Sequence, residues 1–271
     1  MAELMSKPLY ITLLKPLLSR TLFREGSVRR VLRGPSRGIR YRLFTAGLSP
    51  LYGGWERNEQ ELMVRHVQRG STAYDVGANH GIHTLLLARL VGSAGRVYAF
   101  EPLPENVCQL RENIALNGFS NVDVIEAAVA EKRGTESFDR GGDHATGHLT
   151  DMAVKPGAEF RVDVVSLDDH VCTRNAAPPD FIKIDVEGAE SRVLAGATLV
   201  LETYRPILLI ALHTPEQDIS VGQTLSALNY EAYRTCDGSK VRSLITGWPD
   251  PEGIWGECIA FPSHDRRSFF N

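Results

Sequence analysis

A chain of 271 residues, 43% hydrophobic and 23% charged, holds material for one α/β core with a modest extension, or for two small domains. No apolar run reaches the roughly 18–20 residues that cross a bilayer; the longest candidate, Ile207-Leu208-Leu209-Ile210-Ala211-Leu212, has the length of a strand. The net charge of −3 is uneven: residues 1–47 carry ten Lys/Arg against Glu3 and Glu25, or +8, which leaves −11 for the rest. An acidic body argues against nucleic-acid binding, while a basic arm suits an anionic membrane surface or an acidic substrate, or is simply a solvated leader.

Cys108, Cys172, Cys236 and Cys258 form no Cys-x-x-Cys pair, so neither a zinc cluster nor a disulfide framework is expected, and a reducing compartment is the default. Lys15 and Pro16 interrupt the first apolar stretch, which therefore does not read as a secretory signal. The expectation is a cytoplasmic protein whose basic arm touches the membrane periphery.

Residues 1–50 read as a basic extension, with an amphipathic helix over 10–23 kinked at Pro16 and a short hairpin through 39–43, between Gly/Pro-rich turns at 33–36 and 47–54. Residues 51–271 read as the main domain. Asn58 followed by Glu61 resembles a capping box and opens a helix that Gly70 stops. Then follow a strand over 72–76, a helix over 82–90, a strand over 96–100, a helix over 104–117 with Gly118 behind it, and a strand over 122–126. This alternation predicts a parallel sheet with right-handed crossovers and helices on both faces.

Residues 127–166 break the pattern with a strand pair, 135–138 and 161–166, around a Gly/His-rich loop over 141–148. The alternation resumes with a strand over 181–184, a helix from about Glu190, a strand over 207–212 and a helix over 221–229. Two antiparallel strands, 230–236 and 257–261, close the sheet.

The chemistry concentrates at the first strand-to-helix turn, Asp75-Val76-Gly77-Ala78-Asn79-His80-Gly81. In parallel sheets ligands bind beyond the carboxyl ends of the strands, where glycines let the backbone approach and the helix start offers free N–H groups. The register is Gly-x-x-x-Gly with Asn79 at its centre, not the Gly-x-Gly-x-x-Gly of dinucleotide sites. Asp75 would repel a pyrophosphate but pair with an ammonium. Glu101 ends the second strand 20 residues after Gly81, where a carboxylate accepts ribose hydroxyls. Glu126, Ala127 and Ala128, ending the third strand, fall beside an adenine. The residues therefore ask for an adenosine-type ligand carrying an ammonium and a carboxylate, and S-adenosylmethionine fits.

With these residues placed, the chain resembles the FkbM-type methyltransferases. The likeness rests on the 75–81 turn, Ala99-Phe100-Glu101-Pro102, Val165-Ser166-Leu167-Asp168-Asp169, and above all Ile182-Lys183-Ile184-Asp185-Val186-Glu187-Gly188-Ala189-Glu190. It implies a Rossmann-like class I fold with a seven-stranded, mostly parallel sheet whose last strand is antiparallel. It also implies methyl transfer from S-adenosylmethionine, usually to a hydroxyl on a small molecule, glycan or glycolipid. On that likeness Asp75, Gly77, Ala78, Asn79 and Gly81 hold the methionine end and Glu101 the ribose. The family tends to carry Glu-x-His at the end of the fifth strand, whereas this chain reads Ala211-Leu212-His213.

Asp185 and Glu187, beyond the fourth strand, and His213, beyond the fifth, fall on the cofactor edge of the sheet. Asp185 and His213 are the pair expected nearest the acceptor, with Asp185 also beside the cofactor. The same residues could cap helices instead, and nothing in their spacing demands a metal ion. His144 and His148 could belong to a lid, while His80, His83 and Thr84 read as structural. Two rivals remain: a non-catalytic scaffold that binds S-adenosylmethionine, and an NAD-dependent oxidoreductase, which Asn79 disfavours.

Overall fold

In a computed structural model the chain is described over residues 26–43, 56–139, 148–149, 160–241 and 256–263. The expected helix over 10–23, the turn at 47–54, most of the Gly/His-rich loop and its His144 lie outside these residues, and so does the side chain of His148.

The central sheet has seven strands in the order β12-β13-β11-β10-β3-β4-β5. These are β3 (Thr72–Val76), β4 (Arg96–Phe100), β5 (Val122–Ile125), β10 (Phe181–Ile184), β11 (Ile207–Ala211), β12 (Tyr230–Arg234) and β13 (Glu257–Pro262). β13 runs antiparallel to both β11 and β12, and the pairs from β11 to β5 are all parallel. This is the Rossmann-like class I arrangement expected. Its strands are apolar on both faces because both are covered. Tyr74, Val76, Ile182, Ile184, Leu208 and Ile210 enter one core, and Ala73, Val97, Ala99, Phe181, Ile207 and Leu209 enter the other.

Helices α1 (Arg57–His66), α2 (Ile82–Val91), α3 (Pro104–Asn117), α4 (Leu167–Cys172), α5 (Glu190–Ala195), α6 (Thr198–Tyr204) and α7 (Pro215–Ala227) connect or flank these strands. Two helix starts differ from expectation. Asn58 lies inside α1, which begins after a left-handed Glu56 (φ 43°). Glu61 reaches back to Arg57 at 2.8 Å rather than completing a capping box. α7 starts six residues early, because the Thr214 hydroxyl accepts from Gln217 N–H and Pro215 occupies the first turn. Both residue types are standard start signals, so the cue was present in the sequence.

A second sheet, β6-β9-β7-β8, fills the irregular stretch with β6 (Ala128–Val129), β7 (Gly134–Asp139), β8 (His148–Leu149) and β9 (Phe160–Val165). The expected pair is β7 with β9, antiparallel. The expected hairpin also forms, but its turn is residues 31–39: β1 (Val28–Arg30) pairs with β2 (Arg40–Arg42). Asn113 and Asn117 of α3 accept from the Arg42 and Arg40 backbone N–H at 2.9 and 2.8 Å. Tyr41 and Leu43 enter the same core as α2 and α3. The hairpin is thereby built into the main body.

Candidate active site

A cleft opens beyond the carboxyl ends of β3, β4 and β10, where parallel sheets take their ligands. Its wall includes Gly77, Ala78, Asn79, Glu101, Ala127 and Asp185, all expected at the cofactor.

The floor depends on close backbone approach. Gly77 has φ +82°, and a Cβ there would sit 1.7 Å from the Asp185 carbonyl oxygen, so no side chain fits. Asn79 adopts φ 49°, a left-handed conformation Asn tolerates better than most residues. Gly81 caps α2 at φ +93°, and a Cβ there would meet Leu110 Cδ1 at 2.4 Å. The turn therefore wedges between β10 and α3, which is why it needs both glycines.

Glu101 is 5% exposed and heavily bonded. It accepts from Asn79 N–H (2.8 Å), Leu103 N–H (3.0 Å) and Asn106 Nδ2 (3.1 Å). Burial pushes its carboxyl up, while these donors work against that rise. The carboxylate thus ties the glycine turn to the start of α3, and it also lines the cleft.

Asp75, Gly81, Glu126 and His213 do not line the cleft. Asp75 is fully buried: one oxygen accepts from Thr84 Oγ1 at 2.5 Å, and the other lies 3.9 Å from Lys183 Nζ. The expected contact with a cofactor ammonium is thus not what this orientation offers; the side chain braces α2 against β10 instead. Thr84, read as a helix starter, is its partner. Glu126 is exposed and pairs with Arg111 at 3.4 Å. As a strand-end residue one step beyond β5 it points outward, while Ala127 points in.

Sequence reasoning missed several lining residues, among them Tyr41, Glu56, His83, Asn106, Phe138 and Lys183. Lys183 was visible in the 182–190 block and donates to Asp185 at 3.0 Å. Burial opposes its charge, but Asp185, Asp75 and Glu56 outweigh burial and hold the ammonium protonated. Burial and the neighbouring Lys183 push His83 down to about 3, so it is neutral, with Nε2 3.1 Å from Glu56 Oε2. Tyr41 and Phe138 carried no local signal, because they come from the hairpin and the second sheet.

At the cleft's edge, residues from two strand ends converge. His213 Nε2 lies 3.4 Å from Asp185 Oδ1 and 3.5 Å from Glu187 Oε2, and its Nδ1 lies 2.7 Å from Glu190 Oε1. Burial disfavours the charged imidazole, but the bond to Glu190 and the charges of Asp185, Glu190 and Glu187 prevail, raising His213 to about 9. Burial raises Asp185, yet Lys183 and His213 bring it below its ordinary value. The expected pair is adjacent, as an imidazolium beside a carboxylate. Glu187 and Gly188 take successive left-handed conformations, φ 55° and 102°, which turn the chain between Asp185 and Glu190.

The profile of the FkbM methyltransferase domain matches residues 75–235, more than half of the chain and the span that supplies most of this cleft. The chain belongs to the FkbM methyltransferase domain family. It is an S-adenosylmethionine-dependent methyltransferase. The chain is 27% identical over 173 residues to the hexuronic acid methyltransferase AglP of Haloferax volcanii, covering 63% of this chain and 69% of that protein. It is 30% identical over 165 residues to the 31-O-demethyl-FK506 methyltransferase FkbM of Streptomyces tacrolimicus, covering 49% of this chain and 63% of that one. The solved FkbM methyltransferase of Methylobacillus flagellatus KT is 22% identical, with a TM-score of 0.47 over 70% of this chain and 43% of the other.

The cradle fits S-adenosylmethionine. Gly77 must lack a side chain, Ala127 is small, and the Glu101 carboxylate lines the cleft with room to accept a further hydrogen bond. When bound, the cofactor supplies an electrophilic methyl group on a sulfonium.

Proposed function

We propose that this domain transfers the methyl group to a hydroxyl oxygen of a small molecule, sugar or glycolipid. The observation that carries this reading is the run of one cleft from the glycine turn at Gly77 and the Glu101 carboxylate to the polar side chains of Asp185 and Glu187. The first half suits the methyl donor and the second an acceptor rich in hydroxyls. The two relatives are named for a hexuronic acid and for 31-O-demethyl-FK506, which supports an oxygen acceptor.

Sulfonium methyl transfer depends chiefly on alignment, because the leaving thioether is neutral. Held in the cleft, S-adenosylmethionine would supply its methyl group to the acceptor oxygen, with the electron pair of the C–S bond kept on the departing thioether sulfur. The hydroxyl proton leaves to water by way of the Asp185 carboxylate. Gly77 to Asn79, Glu101 and Ala127 would hold the donor; Asp185 and His213 orient the acceptor.

The test is methyl transfer from isotopically labelled S-adenosylmethionine to a panel of hydroxyl, carboxyl and amine acceptors, with products analysed by mass. Label on a sugar or polyol oxygen is expected. Label only on nitrogen or carboxylate would overturn the reading. For the basic extension we propose peripheral contact with anionic membrane. Deleting residues 1–25 and replacing Arg29, Arg30, Arg33 and Arg37 with Gln, which removes eight of the ten Lys/Arg but keeps Tyr41 and Leu43, should lower sedimentation with anionic vesicles; equal sedimentation dismisses that contact.

A further inference from the structure

The edge of the cleft holds more ligand chemistry than alignment of an acceptor requires. One donor atom from each of Asp185, Glu187 and His213 lies within 4.8 Å of the others, and His213 Nε2 lies 3.4 and 3.5 Å from the two carboxylates. Around a six-coordinate ion with bonds of ~2.1 Å, neighbouring ligand atoms are about 3.0 Å apart and opposite ones about 4.2 Å. The two imidazole distances fall between those values and the third separation is at most 4.8 Å, so modest side-chain rotation would bring the atoms onto one centre.

A second observation lies behind the imidazole. Glu190 is fully buried, with Oε1 2.7 Å from His213 Nδ1, and the same oxygen accepts from Gly188 N–H at 3.0 Å. Its other oxygen, Oε2, has no hydrogen-bond partner. This buried carboxylate takes up the Nδ1 side of the ring and leaves Nε2 facing Asp185 and Glu187. That is how proteins orient a metal-ligating histidine and strengthen it as a donor.

Charge points the same way. Lys183 is engaged with Asp75 and Asp185, while Asp185, Glu187 and Glu190 all converge on the single imidazole of His213. Converging carboxylates of low exposure are costly unless a cation offsets them.

We propose that Asp185, Glu187 and His213 form a site for one divalent cation of the magnesium–manganese class, with Glu190 as the positioning residue for His213. Two carboxylates and one imidazole suit Mn²⁺ better than Ca²⁺, which takes oxygen alone, or structural Zn²⁺, which prefers four nitrogen and sulfur ligands. The open positions would take two oxygens of the acceptor, which selects a vicinal diol or a hydroxy acid. That substrate class rests on the methyltransferase reading; cation binding does not.

The full chain is titrated with Mn²⁺, following the free ion by electron paramagnetic resonance, and in parallel with S-adenosylmethionine by calorimetry. One Mn²⁺ per chain is expected, at least tenfold weaker in His213→Ala and Glu187→Gln, and about 10- to 100-fold weaker in Glu190→Gln. Cofactor affinity should stay within a few-fold in any folded variant, and should Glu190→Gln fail to fold, the other two variants decide. Absence of saturable Mn²⁺ binding in the parent chain, or equal binding in folded His213→Ala, overturns the site. Cofactor binding without Mn²⁺ binding would sink this proposal alone; Mn²⁺ binding without cofactor binding would sink the methyltransferase reading alone.

Discussion

The glycine turn and the His213 cluster both belong to the cleft edge, but they are built by opposite means. The turn is seven consecutive residues, and its shape is a property of backbone: two glycines at positive φ, and the Asn79 N–H that meets a carboxylate 22 residues away. The cluster is assembled from side chains on two strand ends, steered by a carboxylate buried at the start of α5. A turn that must pass under β10 tolerates almost no change. A side-chain cluster can be altered one group at a time, and each loss reads out separately.

The largest effect should come from breaking the turn. Gly77→Ala drives a Cβ into the Asp185 carbonyl at 1.7 Å in a conformation that alanine disfavours. A loss of about 3 kcal/mol or more is expected in urea unfolding, with cofactor binding lost alongside. Wild-type stability would mean that β10 can move away, and the contrast with the cluster would collapse.

Glu101→Ala comes next. Removing a carboxylate that accepts from Asn79, Leu103 and Asn106 should weaken S-adenosylmethionine by about 1–3 kcal/mol, or roughly 10- to 100-fold in calorimetry. Unchanged affinity would place the ribose elsewhere.

Behind the cluster, Asp218 in α7 is 2% exposed, with neither oxygen hydrogen-bonded. Burial, then the charges of Glu190 and Glu216, push its carboxyl up to about 7 from the ordinary 3.8. The folded state therefore holds this proton more tightly than the unfolded chain. Its contribution to stability is full below about pH 4, falls as pH rises toward 7, and is absent above. Asp218→Asn should gain about 1–2 kcal/mol at pH 8 and almost nothing at pH 4, checked by melting across pH. A gain independent of pH would show that packing, not charge, is responsible.

The smallest effect sharpens the comparison within one residue type. Gly188 has φ +102° but nothing within 4 Å of a Cβ. Gly188→Ala should cost only about 1 kcal/mol of backbone strain. Parity with Gly77→Ala would mean that conformation, rather than the clash at β10, governs both turns.

Much of this molecule was legible in its residues. The strands Thr72–Val76, Arg96–Phe100 and Phe181–Ile184 and the helix Pro104–Asn117 lie where periodicity and punctuation put them. Each carries its own apolar run and stop signal, so local sequence suffices. Gly77, Ala78, Asn79, Glu101, Ala127 and Asp185 reached the cleft because a parallel sheet exposes the carboxyl ends of its strands along one edge. Side-chain direction was not legible. Asp75 turns inward to Thr84 and Lys183, and Glu126 turns outward to Arg111, because strand pleat and neighbouring helices set the face.

By itself, then, the sequence determined the alternation of strands and helices, the family, and the glycine turn that floors the cleft, all of which depend on contiguous residues. Only tertiary structure decided that Tyr41 of the hairpin and Phe138 of the second sheet complete the cleft, that Glu190 stands behind His213, and that Asp185, Glu187 and His213 share one point in space. Those are contacts between residues distant along the chain, and packing rather than local propensity brings them together.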